Sequence, residues 1–111
     1  MRRILLIPAG GRPDTPGLRS LPMDEHVWQR GYPLVVGKMQ QGLLQDFWRH
    51  HYRNCPELPV CGSGLLELHN DILAVMPWCA LEGQVQRFLG DLGKMCLRAH
   101  SQGGGLQVVA D

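Results

Sequence analysis

Residues 81–109 read LEGQVQRFLGDLGKMCLRAHSQGGGLQVV and contain the most regular pattern of the chain. Apolar residues recur there at alternating steps of four and three, which is the period of one helix face. This stripe consists of Leu81, Val85, Phe88, Leu92 and Met95. We therefore predict an amphipathic helix that buries the stripe and ends before Ser101–Gly105, a segment whose three glycines are a strong stop signal. A last strand is predicted to follow over Leu106–Val109.

The segment upstream of this helix predicts another helix and then a hairpin. A second apolar stripe starts after Pro33 and predicts a helix that ends near Asn54, before two prolines. It consists of Val36, Met39, Leu43 and Phe47. Two short apolar segments follow, residues 64–69 and 72–76, separated by an Asn-Asp dipeptide. Because Asn and Asp tolerate turn conformations, these segments predict a β-hairpin.

The N-terminal part completes the predicted fold. Arg3–Ile7 predicts the first strand, and the many prolines and glycines of residues 8–33 predict a long loop with a short helical turn near Asp24–Trp28. We expect residues 1–111 to form a single α+β domain of the ferredoxin-like βαββαβ type, with a four-stranded antiparallel sheet and two helices on one face. Right-handed crossovers place the first strand beside the third and the last strand at an edge.

The composition is that of a globular protein without a pronounced charge. The 111 residues are 44% hydrophobic and 19% charged, with a formal net charge of +1. This balance lacks the basic surface that binds nucleic acids or anionic lipids. The run from Ile72 to Leu81 is too short for a membrane span, and the apolar residues before Pro8 are too few for a signal peptide. We therefore expect a soluble intracellular protein with reduced cysteines.

Histidine and cysteine residues are densest around residues 50–61. His50 and His51 precede Cys55 and Cys61, and these are residue types that bind zinc. The two cysteines are spaced more widely than in a zinc-finger knuckle, and no further pair completes a set of four ligands. We therefore predict no metal and no other cofactor. A small metal-binding or hydrolase-like module that uses these four residues is the alternative function.

Neither glycine-rich segment matches a phosphate-binding loop. Gly103–Gly105 follows a helix and precedes a strand, which is the wrong order for a helix N-terminus to meet a phosphate. Gly10-Gly11 follows a strand, but prolines rather than a helix start come next. No serine stands beside a base in a recognised spacing. We therefore expect the protein not to be an enzyme.

The last strand is the predicted site of assembly. It is uncharged and apolar, it follows a flexible glycine run, and an unblocked edge strand pairs readily with another chain. We therefore expect a homodimer or a larger homo-oligomer, with Leu106, Val108 and Asp111 at its interface. Arg87 and Asp91, on the outer face of the second helix, are the next candidates for contacts with a partner.

Several segments of the sequence are similar to one viral family. They are the Met1-Arg2 start with its apolar strand and Gly11, the helix positions Leu81-Glu82, Val85-Gln86 and Leu89, and the run His100-Ser101-Gln102-Gly103-Gly104 that leads to the last strand and Asp111. Together with the element order, they resemble the open reading frame three products of adenovirus early region four. The resemblance is most specific over residues 78–111.

The resemblance implies a non-enzymatic role on a βαββαβ core. Members of that family are viral early proteins of the host nucleus. They dimerise, assemble further and reorganise nuclear bodies and DNA-damage or antiviral factors. The resemblance therefore implies that this chain self-associates, resides in the host nucleus and binds host nuclear proteins.

Overall fold

The computed structural model describes residues 2–12, 14–38, 41–49 and 59–110. Its strands and helices are β1 (Arg2–Ile7), β2 (Ser20–Met23), α1 (Glu25–Val35), α2 (Leu43–Arg49), β3 (Pro59–Cys61), α3 (Ser63–Val75), α4 (Gly83–Ser101) and β4 (Gly105–Ala110). A 3-10 turn over Met76–Cys79 follows α3 and leads toward α4.

The four strands form one antiparallel sheet in the order β2-β1-β4-β3. Ile4 of β1 lies opposite Leu21 of β2 on one side and opposite Val108 of β4 on the other. This confirms the predicted α+β class with a four-stranded antiparallel sheet, and the strand order is consistent with a ferredoxin-like arrangement. The described residues contain four α-helices rather than the expected two.

The last strand lies inside the sheet, so the prediction of an edge strand is wrong. β4 pairs with β1 over its whole length and with β3 over Gly105–Gln107. The first strand therefore lies between β2 and β4, not beside the third strand. The reason is that β2 and β3 are shorter and each contains a proline, which restricts them to the edges, whereas β1 and β4 carry longer apolar runs.

The predicted hairpin over residues 64–76 is also wrong, because this segment forms α3. Four of its residues recur at steps of three and four and are buried: Leu65, Leu68, Ile72 and Val75. Burial of this stripe against α4 stabilises the helix and outweighs the turn preference of the Asn-Asp dipeptide. Asp71 of that dipeptide instead accepts a hydrogen bond from the Leu44 N–H at the start of α2 (3.3 Å).

Residues 8–33 contain regular structure where their composition predicts a long loop. β2 lies within this range, and α1 begins at Glu25, in the region where a short helical turn is predicted. The Asp24 side chain caps α1 by accepting a hydrogen bond from the Val27 N–H (2.8 Å). The helix cap and the pairing of β2 with β1 therefore give this segment regular structure, although its prolines and glycines are typical of a loop.

The predicted helix from Pro33 to Asn54 is wrong as a single element. Pro33 lies in the last turn of α1, which ends at Val35. Gly42, directly before α2, has a φ of 136°, a conformation that side-chain-bearing residues rarely adopt, so a helix cannot continue through it. The part of the predicted helix beyond Arg49 lies outside the described residues.

α4 confirms most of the predicted amphipathic helix. Its buried residues include Val85, Phe88, Leu92 and Met95. Leu81 is the exception, because the helix starts only at Gly83 and leaves this side chain 98% exposed. The helix ends at Ser101, and Gly103, with a φ of 68°, turns the chain toward β4. α4 packs against α3 and against three strands of the sheet.

Two tryptophans join α1 to α2. The Trp28 Nε1–H donates to the Trp48 carbonyl oxygen (2.6 Å), and the Trp48 Nε1–H donates to the Trp28 carbonyl oxygen (2.9 Å). The Trp48 ring also packs edge-on against Phe88 of α4, with 5.6 Å between the ring centroids. At Gly31 a Cβ atom would overlap the Trp48 ring, so only glycine allows this approach of the two helices. Trp48 therefore connects α1, α2 and α4.

Candidate functional site

The residues predicted to contact a partner separate into a buried set and an exposed set. Leu106 and Val108 are each 1% exposed and belong to the hydrophobic core. Because β4 is paired on both sides, these two residues do not form the C-terminal edge interface that the sequence predicts. Arg87 and Asp91 are exposed on α4, and Asp111 lies outside the described residues.

Of the four predicted metal ligands, the described residues include Cys61, which is exposed at the end of β3. His50, His51 and Cys55 lie outside the described residues. Within the part of the chain that is described, no three His, Cys, Asp or Glu side chains are grouped so that they could hold a metal ion.

Arg87 and Asp91 border a groove between α4 and the edge strand β2. The groove consists of two adjoining cavities of about 250 and 300 Å³, which share Leu21 of β2 and Asp91 of α4. We call it the β2–α4 groove. Its strand side extends from Arg19 to Pro22, and its helix side lies within residues 84–98.

A single stripe of exposed side chains on α4 forms one wall of the groove. It consists of Arg87, Asp91, Lys94 and Arg98. Their steps of four, three and four place them on one face of the helix. Three of the four are cations, and Arg19 provides a fourth cation from the strand side. The groove is therefore lined by positive charge on both walls.

The cations of the groove are not neutralised within the described part of the chain. The salt bridges found there join Arg2 to Glu25 (3.0 Å) and Arg30 to Glu82 (3.8 Å), and neither involves a groove residue. Two carboxylates, Asp24 and Asp91, line the groove beside four cations. The groove therefore carries a net positive charge, and its cations are available to a ligand.

Apolar side chains form the floor of the groove. Phe88 and Met95 of α4 are buried, and Leu21 of β2 is partly buried between them and solvent. The Leu6 N–H donates to the Arg19 carbonyl oxygen (2.9 Å). Because backbone groups of an antiparallel strand face its two sides alternately, the N–H and C=O groups of Ser20 face the open edge of the sheet. The next residue whose backbone faces this edge is Pro22, which has no N–H. A ligand in the groove is therefore held mainly by side chains.

Part of this groove can be predicted from the sequence. The outer face of the predicted helix identifies Arg87 and Asp91. Lys94 and Arg98 follow at the same helical period, so extension of that stripe finds them too. Arg19 belongs to a segment whose composition predicts a loop, and its place opposite α4 depends on the pairing of β2 with β1.

Among the helices of the described residues, none is both long and apolar enough to cross a lipid bilayer. No protein-family model, no curated protein and no solved structure matches the chain.

Proposed function

We propose that the protein is a non-enzymatic regulatory protein that binds other proteins through the β2–α4 groove. The observation that carries the proposal is the set of cations on both walls, which have no salt-bridge partner among the described residues and flank an apolar floor. A segment with alternating acidic and apolar residues would neutralise the walls and cover the floor. The partner is therefore an acidic, extended segment of another protein.

A nucleic acid fits this groove less well than an acidic protein segment. Asp91 lies in the middle of the cationic stripe, where it would repel a phosphate backbone. The whole chain also carries a formal net charge of only +1.

The resemblance to the adenovirus family supports a setting for this activity. In that setting the protein is a viral regulator in the host nucleus. The acidic segment then belongs to a host nuclear protein, such as a component of nuclear bodies or of the DNA-damage or antiviral response. The positive charge of the groove supports an acidic partner. The location of the protein in the host nucleus is supported by the resemblance alone.

Lys94→Glu is expected to weaken binding of an acidic peptide about tenfold, or about 1.4 kcal/mol. The reason is that the substitution replaces an attraction by a repulsion beside Asp91, at the centre of the groove. The probe is a fluorescein-labelled dodecapeptide that alternates glutamate and leucine, and binding is measured by fluorescence anisotropy. Added salt is expected to weaken binding to the wild-type protein more than to the variant, because it screens the attraction.

The matched control is Arg12→Glu, which makes the same change of charge at an exposed residue outside the groove. It is expected to retain nearly the affinity of the wild-type protein. Equal losses in both variants would mean that the peptide binds by general charge attraction, which would contradict the groove as the site. Tighter binding of polyuridine RNA than of the peptide would replace the protein partner by a nucleic acid.

Self-association, which the resemblance implies, is proposed through the helices instead of through β4. Leu66 and Leu73 lie seven residues apart on one face of α3 and are 41% and 56% exposed. Leu97 of α4 is also exposed. Exposed leucines on adjacent helices provide an apolar surface that a second copy of the chain can cover.

The wild-type protein is expected to sediment as a dimer or a larger species at roughly 100 µM, where a Kd near 1 µM (about −8 kcal/mol) gives mostly dimer. Leu73→Lys is expected to sediment as a monomer, because it places a charge in the apolar interface. Thr15→Lys adds the same charge at an exposed position outside the helices and serves as the control. A monomeric wild-type protein at this concentration would contradict self-association.

A further inference from the structure

The two cavities of the β2–α4 groove differ in charge. The cavity of about 300 Å³ is lined by one cation and two carboxylates. The cavity of about 250 Å³ is lined by three cations, Arg19, Lys94 and Arg98, and by one carboxylate, that of Asp91. We call it the three-cation cavity. Two of its positive charges have no counter-charge, so this end of the groove attracts an anion that carries more than one negative charge.

The cations of this cavity come from two elements that run in opposite directions. The start of β2 lines the three-cation cavity together with the second half of α4, and the residues that follow line the other cavity together with the first half. Arg19 therefore lies opposite Lys94 and Arg98. Alternation along the strand places the Arg19 side chain on the same face of the sheet as Leu21 and Met23, which is the face on which α4 packs.

The three cations are exposed and available to a ligand. Within the described part of the chain, no salt bridge or hydrogen bond engages the side chains of Arg19, Lys94 or Arg98. Asp91 precedes Lys94 by one turn of α4 and Arg98 by two turns, or about 10 Å along the helix axis. Its carboxylate is therefore close to Lys94 and leaves the end of the cavity between Arg19 and Arg98 positive.

Two guanidinium groups on opposite walls suit a phosphate group. Each guanidinium fork can donate two parallel hydrogen bonds to phosphate oxygens. A phosphomonoester carries a charge of about −1.5 to −2 at neutral pH, which matches the two uncompensated positive charges of the cavity. A carboxylate neutralises only one of these charges. Each phosphate of a nucleic-acid backbone also carries one negative charge and is therefore a poorer match.

We propose that the three-cation cavity binds the phosphate of a phosphoserine in the partner's acidic segment. This inference rests on the proposed function, because the rest of the segment occupies the remainder of the β2–α4 groove. Arg87 precedes Arg98 by eleven residues, or about 16 Å along the helix axis. An extended peptide spans this distance with about five residues. An acidic side chain about five positions from the phosphoserine therefore reaches Arg87.

The test compares three fluorescein-labelled dodecapeptides by fluorescence anisotropy. One is the glutamate–leucine peptide, and the other two carry serine or phosphoserine in place of a central glutamate. The central position leaves enough residues on both sides to reach Arg87 in either chain direction. We expect the phosphoserine peptide to bind the wild-type protein about tenfold more tightly than the glutamate peptide. The serine peptide is expected to bind most weakly.

Arg19→Gln and Arg98→Gln are each expected to reduce this preference to less than about threefold, because each removes one guanidinium group from the cavity. Arg87→Gln is the matched control, since it removes the same group at the other end of the groove. It is expected to weaken binding of both charged peptides equally and so to retain the preference. All three arginines are exposed, and far-UV circular dichroism is expected to show native spectra for the three variants.

Equal affinities of the wild-type protein for the phosphoserine and glutamate peptides would overturn the phosphate site and leave the groove as a site for acidic segments. Loss of the preference in Arg87→Gln as well would contradict the location of the site. Failure of all three peptides to bind would contradict the proposed function together with this inference. Inorganic phosphate that binds as tightly as the phosphoserine peptide would make the free ion the ligand. Tighter binding to vesicles of phosphatidylcholine and phosphatidylinositol phosphate would replace the phosphorylated protein by a membrane.

Discussion

Val108→Lys is expected to unfold the protein. Val108 lies in the central strand β4, opposite Ile4 of β1, and only 1% of it is exposed. An unpaired ammonium group at this place costs several kcal/mol, out of the roughly 5–15 kcal/mol that stabilise a domain of this size. The measurement is far-UV circular dichroism, in which the helical signal is expected to disappear.

The neighbouring residue provides the control for this substitution. Val109 lies on the opposite face of β4 and is partly exposed, so Val109→Lys is expected to keep the native spectrum. Retention of the native spectrum by Val108→Lys would contradict the burial of this face of β4 in the core.

Trp48→Ala is expected to lower the free energy of unfolding by about 3–5 kcal/mol. The substitution empties a fully buried position, removes the hydrogen bond from the Trp48 indole to the Trp28 carbonyl oxygen, and ends the ring contact with Phe88. The measurement is chemical denaturation monitored by circular dichroism, with comparison of the transition midpoints at equal slope.

Trp78→Ala is the matched control for the loss at Trp48. Trp78 is exposed after α3, and its described aromatic contact is with the Lys38 ammonium, 5.6 Å from the ring centroid. Its removal is expected to cost less than about 1 kcal/mol. Equal destabilisation by the two substitutions would mean that Trp48 does not hold α1, α2 and α4 together.

The sequence predicts an element well where its local pattern and its final packing agree. α4 has one apolar stripe of helical period, and the structure buries that stripe from Val85 onward. For the segment of α3 the sequence predicts a hairpin, because its stripe is interrupted by an Asn-Asp dipeptide whose local preference is a turn. Packing against α4 and the hydrogen bond from the Leu44 N–H to Asp71 favour a helix in this segment. Both interactions involve residues that are distant in sequence.

The candidate groove follows the same rule. Arg87 and Asp91 are predictable because the outer face of a single helix can be read from its own period. Arg19 and Leu21 are not, because they reach the groove only when β2 pairs with β1. The central position of the last strand cannot be predicted from its own residues either, because it results from the pairing of β4 with both β1 and β3.

Binding in the β2–α4 groove can be observed residue by residue when the 15N-labelled protein is titrated with the glutamate–leucine dodecapeptide in an NMR spectrometer. The amide resonances of Leu21, Asp91 and Lys94 are expected to shift most, with a Kd that matches the anisotropy measurement. Shifts concentrated around Leu66 and Leu73 on α3, or weak shifts spread evenly over the surface, would contradict the groove as the place where an acidic partner binds.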